Sequence, residues 1–362
     1  MASSKTNKLV GLIILTGICA LSFKKNDIYS KKDIKYTMQK VFAWQVEHPV
    51  KVNLSEDWAR AALYIGATRA YNVIHNDVYL NAAIKYADSV NWKPGKRPRH
   101  ADDLTRGQVF LDLYAIKKQN KMLEPIKNRI DSLIVEIKPG RVDWWWCDAL
   151  FMEPPLLVRL ANQTGDEKYL TYLDQMWWDT TDYLFDKNEG LYFRDQSYFK
   201  QKTPSGKKVF WSRGNGWVLA GLAQVIEWLP TTNPSYPKYV DLYKTMAAKI
   251  GGLQQPDGFW RTSLLDPGQV SGKETSGTGF FTFALAWGIN QRLLNREAYL
   301  PIVKRGWGAL SSAINDEGKL QWVQQIGAEP NAVKQDDNQE YGTGAYLMAG
   351  AEMLKLNCAT GK

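Results

Sequence analysis

The sequence predicts an all-α fold, an (α/α)6 barrel of six inner and six outer helices with short β-hairpin-like loops, on three observations. Apolar residues recur at three- and four-residue spacing from Lys31 onward, with few long alternating runs, which is the period of helices and not of strands. The helical stretches come in pairs, one carrying a charged stripe and the next almost without charge. The last three pairs also share one connecting pattern, the mark of a supersecondary unit used repeatedly.

In chain order, the outer helices are expected at 31–46, 77–90, 121–136, 166–184, 236–253 and 296–314, each amphipathic as a surface helix is. Their inner partners are expected at 57–74, 103–118, 147–163, 213–229, 278–293 and 343–356. Stretches such as "RGNGWVLAGLAQVIEWL" and "GTGFFTFALAWGI" are apolar all round, which suits a buried helix. After each of the last three outer helices comes an acid-Gly turn, "KNEGLYFRD", "QPDGFWRTS" or "NDEGKLQWV", in which glycine supplies a positive φ. A Gly-rich entry into the inner helix follows, "SRGNGW", "TSGTGF" or "EYGTGA", where the missing side chain lets backbones or a ligand approach closely. An open solenoid would need a polar capping repeat, and the aromatic, uncharged "GAYLMAGAEML" at the end is no such cap, so the ring is expected to close. Closure gathers the inner N-termini at one mouth, where helix dipoles and free N–H groups favour anions.

Residues 1–22 are expected to be a secretory signal and 23–362 a single barrel domain. Lys5 and Lys8 precede the apolar run Leu9–Leu21, which is too short for a membrane span, and Ala20 and Ser22 are the small pair at a cut after Ser22. Acylation of Cys19 is the alternative, with Ile18 where a small residue normally precedes the cysteine. No later run is apolar enough to span a bilayer. Without Cys19, only Cys147 and Cys358 remain, so no disulfide framework is expected, and three His without clustered Cys give no zinc spacing. "DKNEG" (Asp186–Gly190) lacks most of a calcium loop and reads as a turn, so neither metal nor cofactor is expected. The formal charge of +9 falls to +7 without Lys5 and Lys8, and much of that excess lies at Lys24, Lys25, Lys31, Lys32 and Lys35, a solvated face. It favours an anionic substrate; no nucleic-acid motif is present, and oligomeric state is not legible. Fifteen Trp and eighteen Tyr exceed what a core needs and suit stacking against sugar rings.

Residues opening each inner helix should line the mouth: Trp58 in "EDWARA"; His100, Asp102 and Asp103 in "RHADDLTRG"; Trp144–Trp146, Asp148 and Met152 in "DWWWCDALFM"; Trp211, Arg213 and Trp217 in "FWSRGNGW". Asp148 has two readings. Either it satisfies backbone N–H groups at the helix start, or the tryptophans beside it desolvate it, hold its proton near neutral pH and make it a general acid. Of Asp102 and Asp103, one is expected to cap the second inner helix and the other to be the second carboxylate of a catalytic pair, with Asp103 preferred. Arg213 either grips a carboxylate through two parallel hydrogen bonds or pairs with a core acid.

These stretches, with "WWWCDALFMEPPLLVRLANQTGDEKYL", "LYFRD", "WSRGNGWVLAGL" and "ETSGTGFFTFALAWGIN", resemble the family 105 glycoside hydrolases, the unsaturated rhamnogalacturonyl hydrolases. The resemblance covers most of the chain after the signal and implies an (α/α)6 barrel that works without metal or cofactor. Its substrates are oligosaccharides ending in the 4,5-unsaturated uronic acid that a polysaccharide lyase leaves. It implies that Asp148 is the acid/base, that Asp102 or Asp103 assists, and that Trp146, Met152, Trp211, Arg213 and Trp217 line the sugar site. Some members carry a histidine near "LYFRD", where this chain has Arg194, so the leaving sugar is expected to differ. Rhamnose of pectin, sulfated rhamnose of an algal polymer and galactose of an arabinogalactan remain open. A lyase on the same barrel, with His100 as base, and a non-catalytic carbohydrate-binding barrel are the rival readings.

Overall fold

Six outer and six inner helices alternate along the chain in the structure, a computed structural model that describes residues 27–51 and 57–358. The expected signal, Cys19, Lys24 and Lys25 lie outside the described residues. Helix α1 (Lys31–Glu47) is outer and α2 (Trp58–Ile74) inner; α3 (Asp77–Ser89) is outer, and the short α4 (Ala101–Leu104) leads into inner α5 (Arg106–Lys117). Outer α6 (Asn120–Val135) is followed by two single turns, α7 (Gly140–Asp143) and α8 (Ala149–Met152), and by inner α9 (Pro154–Thr164). Outer α10 (Lys168–Leu184), inner α11 (Ser212–Trp228), outer α12 (Tyr236–Gly252), inner α13 (Thr275–Asn290), outer α14 (Arg296–Ser312) and inner α15 (Glu340–Cys358) complete the set. Most boundaries fall within three residues of the sequence expectation. The exception is the third inner helix, expected unbroken over 147–163. Pro154 and Pro155 supply no N–H to a preceding turn, so the helix breaks at Glu153 and restarts with proline at its first position.

The inner helices touch in the order α2, α5, α9, α11, α13, α15 and back to α2, which closes the ring. Side-chain size sets how tightly. A Cβ on Gly66 would lie 2.5 Å from the Gly344 carbonyl oxygen, and one on Gly344 would lie 2.2 Å from that of Ala62, so α2 and α15 pack backbone to backbone. Gly344→Ala is therefore expected to cost roughly 3 kcal/mol or more, by forced separation of the two helices. Denaturant unfolding checks this, and an unchanged midpoint would refute the contact.

The three acid-Gly turns form as the sequence requires, with φ of 66°, 87° and 106° at Gly190, Gly258 and Gly318. The first closes a two-residue hairpin, β1 (Phe185–Asp186) against β2 (Leu191–Tyr192), with Asp186 accepting the N–H groups of Asn188 and Glu189. "DKNEG" is thus a turn. Lys31, Lys32 and Lys35 are exposed on α1, as a solvated face should be. At the end away from the inner N-termini, Arg69 bridges Glu227 and Glu352, Lys355 joins Glu352, and Arg159 joins Asp112, so charged pairs plug the ring there. No helix among the described residues is long and apolar enough to cross a membrane.

Candidate active site

Asp148 ends the loop between α7 and α8, and its position is fixed from both sides. Trp144 Nε1 donates to Glu153 Oε2 at 2.7 Å, tying the two ends of the stretch together, and burial pushes the Glu153 carboxyl up to about 8. Gln108 Nε2 on α5 donates to the carbonyls of Phe151 and Met152 at 2.7 and 3.0 Å. The Cys147 N–H donates to the Arg194 carbonyl at 2.8 Å, which docks the end of the β1–β2 hairpin beside Asp148. Gly214 leaves the remaining space, since a Cβ there would sit 3.0 Å from Cys147 Sγ and 3.4 Å from Asp148 Oδ1.

Asp148 stands at the start of α8, yet its side chain makes no capping bond, so the helix-cap reading is corrected. Its carboxyl is buried and receives the Cys147 thiol, at 3.3 Å, and its own backbone N–H. Burial raises its pKa; the Arg194 and Arg213 cations and the thiol partly oppose the rise.

Of the two neighbouring acids, Asp102 is the one that feels the charge of Asp148, whereas the preferred Asp103 is engaged elsewhere. Asp103 is consumed by Arg97, whose backbone N–H reaches Oδ2 at 2.6 Å and whose Nε and Nη2 reach Oδ1 at 3.0 and 2.6 Å. Neither acid caps α5, because both lie in α4 one turn earlier. Asp102 faces the mouth. Burial first, and then the charge of Asp148, push its carboxyl up to about 7, while Arg97 and Arg194 pull it down. His100, whose Nδ1 lies 3.6 Å from Asp102 Oδ2, is driven down to about 4 by burial and Arg97 and is neutral at physiological pH. The charge of Asp148 thus helps Asp102 to hold its proton.

The two cations are engaged to different degrees. Arg213 is buried between the rings of Trp211 and Tyr341, at 4.4 and 4.8 Å from their centroids. It donates to the carbonyls of Gln324, Gln325 and Gly327 and to the Tyr341 hydroxyl. Trp211 Nε1 adds a bond to Gln324 Oε1 at 2.8 Å. Arg213 thus chiefly anchors the loop between α14 and α15, keeping only Nε without a partner in addition to its charge near Asp148. Arg194 is the more available cation. It spends Nη1 on Asp195 at 2.5 Å, keeps Nε without a partner, and acts electrostatically on both Asp148 and Asp102.

The tryptophans split as well. Trp217 is fully buried against Phe151 and Phe280, and Trp211 and Met152 are equally enclosed. Trp58 stacks on Tyr341 at 5.4 Å on the far side of the mouth. Trp146 packs on His100 at 4.7 Å and walls the carboxyl pair. Trp145, 42% exposed, carries the Arg194 guanidinium 5.0 Å above its ring. Sequence reasoning missed Arg97, Gln324 and Tyr341; the basic run "GKRPRH" and the motif "EYGTG" were their only local signals. No cluster of metal-binding side chains occurs among the described residues.

A carboxyl pair with a raised pKa, a flanking arginine and a tryptophan wall can donate a proton, take one from water and hold an anion. Comparison with known proteins gives this arrangement a context. The model of Glycosyl Hydrolase Family 88 matches residues 29–357. The unsaturated 3S-rhamnoglycuronyl hydrolase of Formosa agariphila is 38% identical over 373 residues, covering 96% of this chain and 98% of that protein. Among solved structures, a family 88 glycosyl hydrolase from Bacteroides vulgatus superposes with a TM-score of 0.84 at 31% identity, covering 90% of this chain and 99% of that one. Another, described as a polysaccharide lyase, superposes at 0.85 with 30% identity, over 91% and 98%.

Proposed function

The chain belongs to glycosyl hydrolase family 88, and from that premise we propose that it removes a 4,5-unsaturated uronic acid from the non-reducing end of lyase-generated oligosaccharides, with Asp148 as acid/base and Asp102 as its partner. The chain is a glycoside hydrolase, and the relationship expected from its motifs is borne out. One observation carries the residue assignment: two buried carboxyls at one mouth, each pushed up by burial, with Asp102 further raised by Asp148.

On this reading the two carboxyls share one proton, and the chemistry uses it. Asp148 delivers it to C4 of the enol ether, which leaves an oxocarbenium ion at C5. Asp102 and the resulting Asp148 carboxylate face the cation, and water adds to C5 as its proton passes back to the pair. The hemiketal opens to a 5-keto product, and the freed hemiacetal at C1 expels the neighbouring sugar. Trp146 and its neighbours exclude water, so the proton stays bound until the alkene arrives.

On this reading Arg194 holds the uronate, a role supported by its unpartnered Nε and its charge near Asp148. Arg194→Ala is expected to raise KM about 10- to 100-fold, the worth of a charge-assisted contact. Removing its charge also lets both carboxyls rise, so the alkaline limb of kcat/KM shifts upward. Steady-state rates across pH check both.

The leaving sugar is a sulfated rhamnose on this reading; the relative's name, which specifies a 3S-rhamnoglycuronyl substrate, supports that choice among the three sugars left open. A lyase is the second reading, favoured by the superposition on a chain so described. A histidine held near 4 is a weak base for removing a C5 proton, which counts against His100 in that role. Lyase digests of each polymer decide: the hydrolase destroys the absorbance of the conjugated alkene, whereas a lyase acting on intact polymer creates it. Export with a cut after Ser22 belongs to the same proposal, and the mass of the mature N-terminus tests it.

A further inference from the structure

Beside the carboxyl pair, the mouth opens into a groove of about 500 Å3 lined by Arg97, Pro98, Arg99, His100, Val142, Asp143 and Trp145. It lies between the loop before α4 and the turn of α7, the two segments that deliver Asp102 and Asp148. His100 is shared by both spaces: it walls the groove and places Nδ1 3.6 Å from Asp102. His100 therefore joins the groove to the space beside Asp102.

Two features equip the groove for a sugar. Trp144 and Trp146 on either side are buried, but Trp145 presents 42% of its surface, and its ring is braced by Trp146 at 4.9 Å and by Arg194. A large apolar ring left in water and held in place by its neighbours is a stacking platform. Arg99 forms the polar wall. Its Nε and Nη2 both donate to Asp143 Oδ2, at 2.9 and 2.5 Å, which fixes the guanidinium and leaves Nη1 with no partner among the described residues.

We propose that this groove seats the leaving sugar, with its ring against Trp145 and an anionic substituent, such as a sulfate, on Nη1 of Arg99. The proposal rests on the hydrolase reading and deepens it by naming the residues that choose the leaving group.

Three substrates separate the parts: the methyl glycoside of the unsaturated uronic acid, the disaccharide with unsulfated rhamnose, and the disaccharide with 3-sulfated rhamnose. Trp145→Ala is expected to lower the disaccharide-to-methyl-glycoside ratio of kcat/KM at least about tenfold, mainly through KM, and Trp145→Tyr to restore most of it. Arg99→Gln is expected to lower the sulfated-to-unsulfated ratio by about tenfold or more. An equal loss on all substrates, or no change in either ratio, overturns the groove assignment. Failure of the unaltered protein to consume any of the three alkenes instead removes the hydrolase reading, so the two failures are distinguishable.

Discussion

Asp148→Asn is expected to lower the rate of alkene loss by roughly 10^3-fold, because it removes the group that delivers the proton to C4 in the proposed mechanism. Asparagine has nearly the same shape, and its side-chain oxygen can keep the bonds that the carboxyl receives from Cys147 and its own backbone, so little packing is disturbed. Circular dichroism and substrate binding are expected to stay near those of the unaltered protein. Retained turnover would remove Asp148 from the reaction, and loss of the fold would return it to a structural role.

Asp102→Asn is expected to have the second largest effect, and in two directions. Activity falls roughly 10^2-fold, because the partner that shares the proton is gone and Asp148 alone, facing Arg194 and Arg213, releases its own at lower pH. The alkaline limb of kcat/KM, expected near 7 in the unaltered protein, moves to lower pH. Stability rises. A carboxyl whose pKa is raised on folding costs nothing below its unfolded value, about 4, and its cost grows until pH passes the folded value, about 7. Asparagine carries no such cost, so the variant gains little at pH 4 and up to about 4 kcal/mol above pH 7. Thermal unfolding at the two pH values measures the difference, and a gain that does not depend on pH would contradict it.

The barrel was legible because its period is long and its two helix types differ in composition. Runs such as "GTGFFTFALAWGI" leave a buried helix as the only reading. The break at Pro154–Pro155 was also written in the sequence, since proline starts a helix more readily than it continues one; the continuous apolar run across "LFMEPPLLV" concealed it. The burial of Asp148 was legible from the tryptophans before it. The choice between Asp102 and Asp103 was not, because it depends on Arg97 folding back to spend three bonds on Asp103. The partners of Arg213 were not legible for a related reason: its acceptors lie 111 to 128 residues further along the chain, three of them on a loop with no regular period. Nor does the triplet Trp144–Trp146 show on its face that only its middle ring is exposed, since the segment is neither helix nor strand and no period applies.

The central claim is that Asp102 and Asp148 keep a proton at neutral pH in the free protein. Carbon-13 NMR of protein labelled at the aspartate carboxyl carbon tests it directly. A resonance titrating near 7 is expected in the unaltered protein, lost in Asp102→Asn and displaced to lower pH in Asp148→Asn, where the neighbouring charge is gone. If every aspartate resonance titrates below about 5, the pair holds no proton at neutral pH and the account is contradicted.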